Sequence, residues 1–227
     1  MWVVFDGFGA FLPVLGSVGL FQGIGAFELE AVLGCVCAEV RVVNKGDIFL
    51  LAGDMPRQVG VVLRGQLHIV REDYDGNRSL IAILTPGSVF AEALCCAGVP
   101  ESPVTVIADL DSVVISIDFE RILHVCSNSC SHHRELIKNM LRLIAGKNLM
   151  LQSHMEILSL RSIRARVLRY FESFKPKPGR EFAIPLNREE LANYLCVERS
   201  ALSHELGKMK KDGLIDYKKN RFVINTP

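Results

Sequence analysis

Asn187-Arg-Glu-Glu-Leu-Ala-Asn-Tyr-Leu-Cys-Val-Glu-Arg-Ser-Ala-Leu-Ser-His-Glu-Leu-Gly-Lys-Met-Lys-Lys-Asp-Gly-Leu-Ile215 is the stretch on which the fold turns. Asn187 with Glu190 three residues on is a capping-box-like helix start, with asparagine in place of the usual Ser or Thr. It opens a short helix from Arg188 to Leu195, whose inward face is Leu191, Ala192 and Leu195. Cys196-Val197 breaks it, and a second helix runs from Glu198 to about Asp212, where Gly213 supplies a C′ stop. A hairpin from Tyr217 to Ile224 follows, with Lys218, Lys219, Asn220 and Arg221 at its turn. Two short helices across a tight turn and then a hairpin describe a winged helix-turn-helix.

Upstream, Ser162 is a candidate cap for a helix with Ile163, Val167, Leu168 and Phe171 on its apolar face. Before that the pattern has a different period. Ile137, Leu141, Ile144, Asn148, Leu151, Met155 and Leu158 recur in steps of four and three, which is a heptad seam. Leu141, Asn148 and Met155 take position a, where a buried asparagine fixes register and favours two strands. The seam predicts a homodimer; the alternative is a single amphipathic helix packed on its own domain. Further upstream, residues 40–118 alternate short apolar runs with turns at Lys45-Gly46-Asp47, Gly53-Asp54, Arg64-Gly65, Asp75-Gly76-Asn77 and Pro86-Gly87. That punctuation predicts a small antiparallel roll or barrel, to which Val104–Ile107 and Val113–Ile117 add strands. The fold class is α+β: a β-roll over 1–131, a dimerisation helix over 132–159 and a winged helix-turn-helix over 160–227.

Charge divides along the same lines. The 227 residues carry a formal net charge of only +1, but from Arg161 onward there are 15 Lys and Arg against 8 Asp and Glu, a net of +7. The first 160 residues hold a net of −6, so only the back of the chain is suited to a polyanion. The apolar, glycine-rich opening lacks a basic n-region, is interrupted by Asp6 and Pro13, and reads as neither a signal peptide nor a good helix. No later run is long and apolar enough to suggest a membrane span, so a cytoplasmic chain with no membrane partner is expected. Seven cysteines in a chain of this size are expected to be reduced thiols. No catalytic triad, phosphate loop or carboxylate pair stands at recognisable spacing, and His68 is the only histidine within the roll, so an enzyme is not expected.

The Asn187–Ile215 segment resembles the DNA-binding signature of the cyclic AMP receptor protein and fumarate-nitrate regulator (Crp–Fnr) family of bacterial transcription regulators. Leu20-Phe21-Gln22-Gly23-Ile24 and the turn glycines fall where that family's β-roll has its opening motif and turns, so the resemblance extends from about Leu12 to Ile224. It implies a cyclic-nucleotide-binding-like, cupin-like effector domain, a homodimer, double-stranded DNA as partner and contact with RNA polymerase. It also places Arg199, Ser200, Ser203 and His204 at the recognition positions. Arg199 suits a bidentate contact to guanine O6 and N7; Ser200 and His204 depart from the family's usual glutamate and arginine. Arg188, Lys218, Lys219 and Arg221 are the accompanying candidates for DNA contact.

The effector positions depart further. Where cyclic-nucleotide binders in the family present Gly-Glu and then Arg-Ser, this chain has Ala91-Glu92 and Ser102-Pro103, and Leu151 stands in place of a hydroxyl that meets adenine. Without the phosphate arginine, and with a proline that removes a backbone donor, cyclic AMP is not an expected ligand. The first 34 residues contain no cysteine, so the family's N-terminal iron–sulfur cluster is not expected either. The effector is therefore unknown. Cys126 and Cys130, with His132 nearby, are candidates for a metal or thiol site, set against the reading that they are ordinary core or surface residues. A regulator with a vestigial nucleotide pocket, acting without an effector or responding to redox state or metal, is the alternative function.

Overall fold

The computed structural model describes residues 8–225 except 74, 76, 77, 125–130, 175, 176 and 178. The chain divides into two compact units, Met1–Gly146 and Lys147–Pro227. None of the described helices is long and apolar enough to cross a membrane.

The first unit opens with two helices that the sequence did not predict, α1 (Leu12–Ser17) and α2 (Ala26–Cys35). Pro13 sits in the first turn of α1, where a missing N–H leaves no bond unmade. Local propensity is poor here, but Leu15, Leu20, Phe21, Leu29 and Leu33 are all buried, and that burial overrides the glycines. Then come β1 (Glu39–Val43), β2 (Ile48–Leu50), β3 (Gln58–Arg64), β4 (Leu67–Glu72), β5 (Arg78–Leu84), β6 (Val89–Phe90), α3 (Glu92–Ala97), β7 (Thr105–Ala108), β8 (Ser112–Asp118) and α4 (Phe119–Leu123). They form two four-stranded antiparallel sheets, ordered β1-β8-β3-β6 and β2-β7-β4-β5. Of the anticipated turns, Gly76 and Asn77 lie outside the described residues.

Strands β3 and β8 are apolar along almost their whole length because they are covered on both faces. Val59, Val61 and Leu63 with Val113, Ile115 and Ile117 pack on the helices, while Val62 and Val114 point into the roll against Leu67, Phe90 and Val106. Two glycines mark close approaches. A Cβ on Gly60 would fall 2.1 Å from Cζ of Phe90. One on Gly65, at φ +86°, would fall 2.5 Å from the Asp111 carbonyl oxygen and 2.7 Å from Cα of Ser112.

Helix α5 (Ser131–Ser159) runs 29 residues. Its first half buries Leu136 and Met140, and Asn139 donates through Nδ2 to the carbonyls of Leu20 (3.2 Å) and Gln22 (2.7 Å). Of the heptad positions, Ile137 and Ile144 are half-buried against their own unit, whereas Leu141, Asn148, Leu151 and Met155 are exposed and Leu158 is half-buried. The half-burial of Ile137 and Ile144 fits the reading of a helix packed on its own domain.

The second unit holds the end of α5, α6 (Ile163–Glu172), β9 (Glu181–Ala183), α7 (Arg188–Tyr194), α8 (Arg199–Lys211), β10 (Ile215–Lys218) and β11 (Arg221–Ile224). Ser162 caps α6 by accepting from the Ala165 amide at 3.1 Å. The wing has three strands, β10-β11-β9, the last an element that the sequence did not predict.

Gly65→Ala should lower the stability of the first unit by roughly 3 kcal/mol, because the new methyl meets backbone in a left-handed conformation. Gly46→Ala, at φ +88° with nothing within 4 Å of the added carbon, should cost only about 1 kcal/mol. Urea denaturation followed by circular dichroism distinguishes the two.

Candidate nucleic-acid interface

The capping box forms as its residues require. The Asn187 side-chain oxygen accepts from the amides of Glu189 (2.9 Å) and Glu190 (3.0 Å), and Glu190 accepts from the Asn187 amide (2.7 Å). Helix α7 then ends in a Schellman turn: the Cys196 amide donates to Asn193 and the Val197 amide to Ala192. Cys196 occupies the C′ place at φ +51° and its side chain is exposed. The turn constrains the backbone of Cys196 rather than its side chain, and Val197 makes the packing contact. Helix α8 ends in the same motif with Gly213 at C′, φ +72°.

Helix α8 buries Leu202, Leu206 and Met209 completely, among Phe171, Leu191 and Phe222. Ser200, Ser203 and His204 lie away from that core, and Arg199, in the first turn of the helix, is exposed as well. Among the described residues none of these four side chains has a hydrogen-bonding or ionic partner. On the inner flank Arg164 of α6 spans two points of α8, with Nε donating to Glu205 Oε1 (2.7 Å) and Nη2 to Asp212 Oδ2 (2.8 Å).

The remaining sequence candidates divide. Lys218 and Lys219 are exposed at the wing tip, where Lys219 has φ +57°. Arg221 is exposed too but pairs with Glu181 at 2.8 Å. Arg188 is half-buried over the rings of Tyr217 (5.2 Å) and Phe222 (5.6 Å), and its Nη2 donates to the Lys219 carbonyl at 3.4 Å. Burial works against the charge of this guanidinium, which braces the wing against the start of α7. Two contacts escaped the sequence reading: His154 Nε2 donates to the Tyr194 carbonyl (2.7 Å) over a stacked ring, and Arg166 donates to the carbonyls of Leu160 (2.8 Å) and Leu195 (2.9 Å). Their acceptors are main-chain oxygens, which no side-chain pattern reveals.

In the roll, Glu92 is buried at the start of α3, directly after Ala91 at φ +61°. Ser102 is also buried. Its hydroxyl donates to the Val104 carbonyl (2.7 Å), its amide to the Asp54 carbonyl (2.8 Å), and its own carbonyl accepts from Gly53 (2.9 Å). The Ser102 hydroxyl is thus engaged with the backbone of its own turn. Leu151 is exposed and belongs to the second unit. Cys126 and Cys130 lie outside the described residues. His132 faces Glu28, Nε2 to Oε1 3.9 Å, and among the described residues no three His, Cys, Asp or Glu side chains are placed to hold a metal ion.

Against known proteins, residues 40–129 match the cyclic nucleotide-binding domain and residues 164–227 the Crp-like helix-turn-helix domain. The chain is 23% identical over 201 residues to the regulatory protein HlyX of Actinobacillus pleuropneumoniae, covering 82% of this chain and 77% of that protein. It is 24% identical over 195 residues to the transcriptional activator protein FnrL of Cereibacter sphaeroides, covering 82% and 76%. In fold it is similar to the Thermus thermophilus catabolite activator protein, with a TM-score of 0.53 at 20% identity over 91% of this chain and 93% of that one.

Replacing Cys196 by glycine should raise the stability of the second unit by about 1 kcal/mol, since the C′ conformation no longer opposes a side chain. Cys196→Ala should stay within about 0.5 kcal/mol of the parent. Thermal denaturation of both variants checks this, and a large loss in the alanine variant would show that the side chain packs.

Proposed function

The chain belongs to the Crp–Fnr family of bacterial transcription regulators, and from that membership we propose that it acts as a homodimer on a pseudo-palindromic DNA site under an effector other than cyclic AMP. The observation that carries the DNA-reading part is the exposed, unpaired face of α8 beside a basic wing. Two α8 helices related by a dyad would enter successive major grooves, with half-site centres roughly 34 Å apart. Arg199 is the base-reading residue in this proposal, with Ser200, Ser203 and His204 contacting bases or phosphates. Lys218, Lys219 and Arg221 contact phosphates; Arg188 contributes mainly by holding the wing. Contact with RNA polymerase and a cytoplasmic location follow from the same reading.

What supports dimerisation through α5 is the exposure of Leu141, Leu151 and Met155 in line with Asn148. What supports a non-nucleotide effector is Ser102, which stands in place of the phosphate arginine and whose polar atoms bond to the turn around it. A second reading, in which the pocket is vestigial and the protein binds DNA without an effector, draws on the same observation.

Selection of bound duplexes from a random pool should enrich a two-fold motif, with affinity falling steeply in salt through counterion release from the net +7 C-terminal segment. Arg199→Ala should relax one base pair per half-site, at about 1–3 kcal/mol per contact, whereas alanine at Lys218 and Lys219 should weaken all sequences alike. An unenriched pool refutes the reading; a motif unchanged by Arg199→Ala refutes the reading residue.

Changing Leu141 and Leu151 together to glutamate should give monomers by sedimentation and abolish operator binding. These two are better probes than Ile144, which also packs on its own unit. Calorimetry should detect no binding of cyclic AMP at micromolar concentration.

A further inference from the structure

Five cysteines lie among the described residues, and their surroundings separate them sharply. Cys95 is buried, donates its S–H to the Pro56 carbonyl at 3.5 Å, and is pushed up to about 12 by burial and then by Cys96 and Glu92, so its thiol is inert. Cys96 is raised as well, by burial and by Glu92. Cys37 and Cys196 share a different role. Each is the left-handed C′ residue of a Schellman turn (φ +50° and +51°), a place where backbone conformation rather than sulfur chemistry is at stake.

Cys35 differs from all four. It is the last residue of α2, half-buried, and its Sγ lies 3.9 Å from Nδ1 of His133 in the first turn of α5. The His133 ring is buried, and its Nε2 lies 3.2 Å from the Arg121 carbonyl oxygen of α4. A carbonyl only accepts, so Nε2 carries the proton, and in the neutral ring Nδ1 presents its lone pair toward the thiol. That is the arrangement of an activated nucleophile: a thiol, a base beside it, and a third group that fixes the base's tautomer and orientation.

We propose that Cys35, activated by His133, is the peroxide-reactive thiol of this protein and the site through which hydroperoxides act on it. The imidazole takes the thiol proton, and the thiolate attacks one oxygen of the peroxide. An S–O bond forms as the O–O bond breaks; sulfur is oxidised to the sulfenic acid and the peroxide is reduced. With hydrogen peroxide the leaving hydroxide recovers the proton from the imidazolium and departs as water. The added oxygen lies where α2, α4 and α5 meet, at the base of the long helix. The inference deepens the effector part of the proposed function, and rests on the regulator reading for its consequence but not for its chemistry.

The test labels the full chain in native buffer and resolves all seven cysteines by mass spectrometry. At pH 7 Cys35 should react with iodoacetamide about fivefold faster than the exposed Cys37, because the gain in thiolate outweighs the nucleophilicity lost with it. Its rate should level off at lower pH than that of Cys37. Hydrogen peroxide followed by dimedone should give its first adduct at Cys35. His133→Gln should abolish the lead of Cys35 and leave the Cys37 rate unchanged, with continued protection of Cys95 reporting that the variant is folded. If that variant unfolds, the wild-type pH–rate profile decides alone, and a Cys35 profile that tracks Cys37 overturns the proposal. So does first reaction at Cys126, Cys130 or any other cysteine, or a lead that survives His133→Gln in a folded protein. Duplex binding by the unoxidised sample, read separately, tests the regulator assignment without reference to the thiol.

Discussion

Helix α8 can present an exposed polar face only because its other face has nowhere else to go. Leu202, Leu206 and Met209 are fully buried, and each such side chain is worth about 1.5–3 kcal/mol relative to exposure. Rotating α8 by one residue's arc would turn those three out of the core and bring Ser203 and Lys210, or Glu205 and Lys208, toward Phe171 and Phe222. The ion pairs from Arg164 to Glu205 and Asp212 act on a smaller scale. They are partly exposed, where such pairs are worth about 0–1 kcal/mol, so they tune the seating of a helix that the core has already oriented.

The roll obeys a comparable constraint with a different consequence. Covering β3 and β8 on both faces leaves one apolar layer for the helices and another for the roll interior, and Phe90 fills the latter over Gly60. The segment from Ala91 to Ser102 is built onto this packed interior with one left-handed alanine, one buried carboxyl and a serine bound to its own turn. A site that holds a phosphate ester needs donors aimed outward and a cation to offset the charge. In this segment the donors of Ser102 are turned inward, and the proposal of an effector other than cyclic AMP rests on that.

How much could be seen in advance depended on whether the determinant was local. The capping box at Asn187, the stop at Gly213, the cap at Ser162 and the punctuation of the roll are short-range signals, and the elements they predict are present. Helices α1 and α2 were missed because glycine-rich local propensity pointed the other way and only burial against distant strands makes them form. Strand β9 is three residues with one inward side chain, too short for a period. Asn139, His154 and Arg166 bind main-chain carbonyls far along the chain, and Cys35 meets His133 across 98 residues. Of the interface, the exposed face of α8 was legible; that Arg188 stacks on the wing was not, because its ring partners come from β10 and β11.

The energetics of reading DNA also bear on why α5 exposes Leu141, Leu151 and Met155. On the proposed reading, one α8 would offer a single arginine and three other polar side chains to the duplex. At about 1–3 kcal/mol for a good bidentate contact, one such helix falls short of the roughly 4–10 kcal/mol by which specific sites are distinguished from bulk DNA. A second copy would double the contacts and the basic charge brought to the duplex. Pairing also removes from water an apolar stripe that a lone chain would have to solvate. In the proposed dimer the same residues would answer two deficits at once, the limited specificity of a single reading helix and the uncovered seam of a single long one.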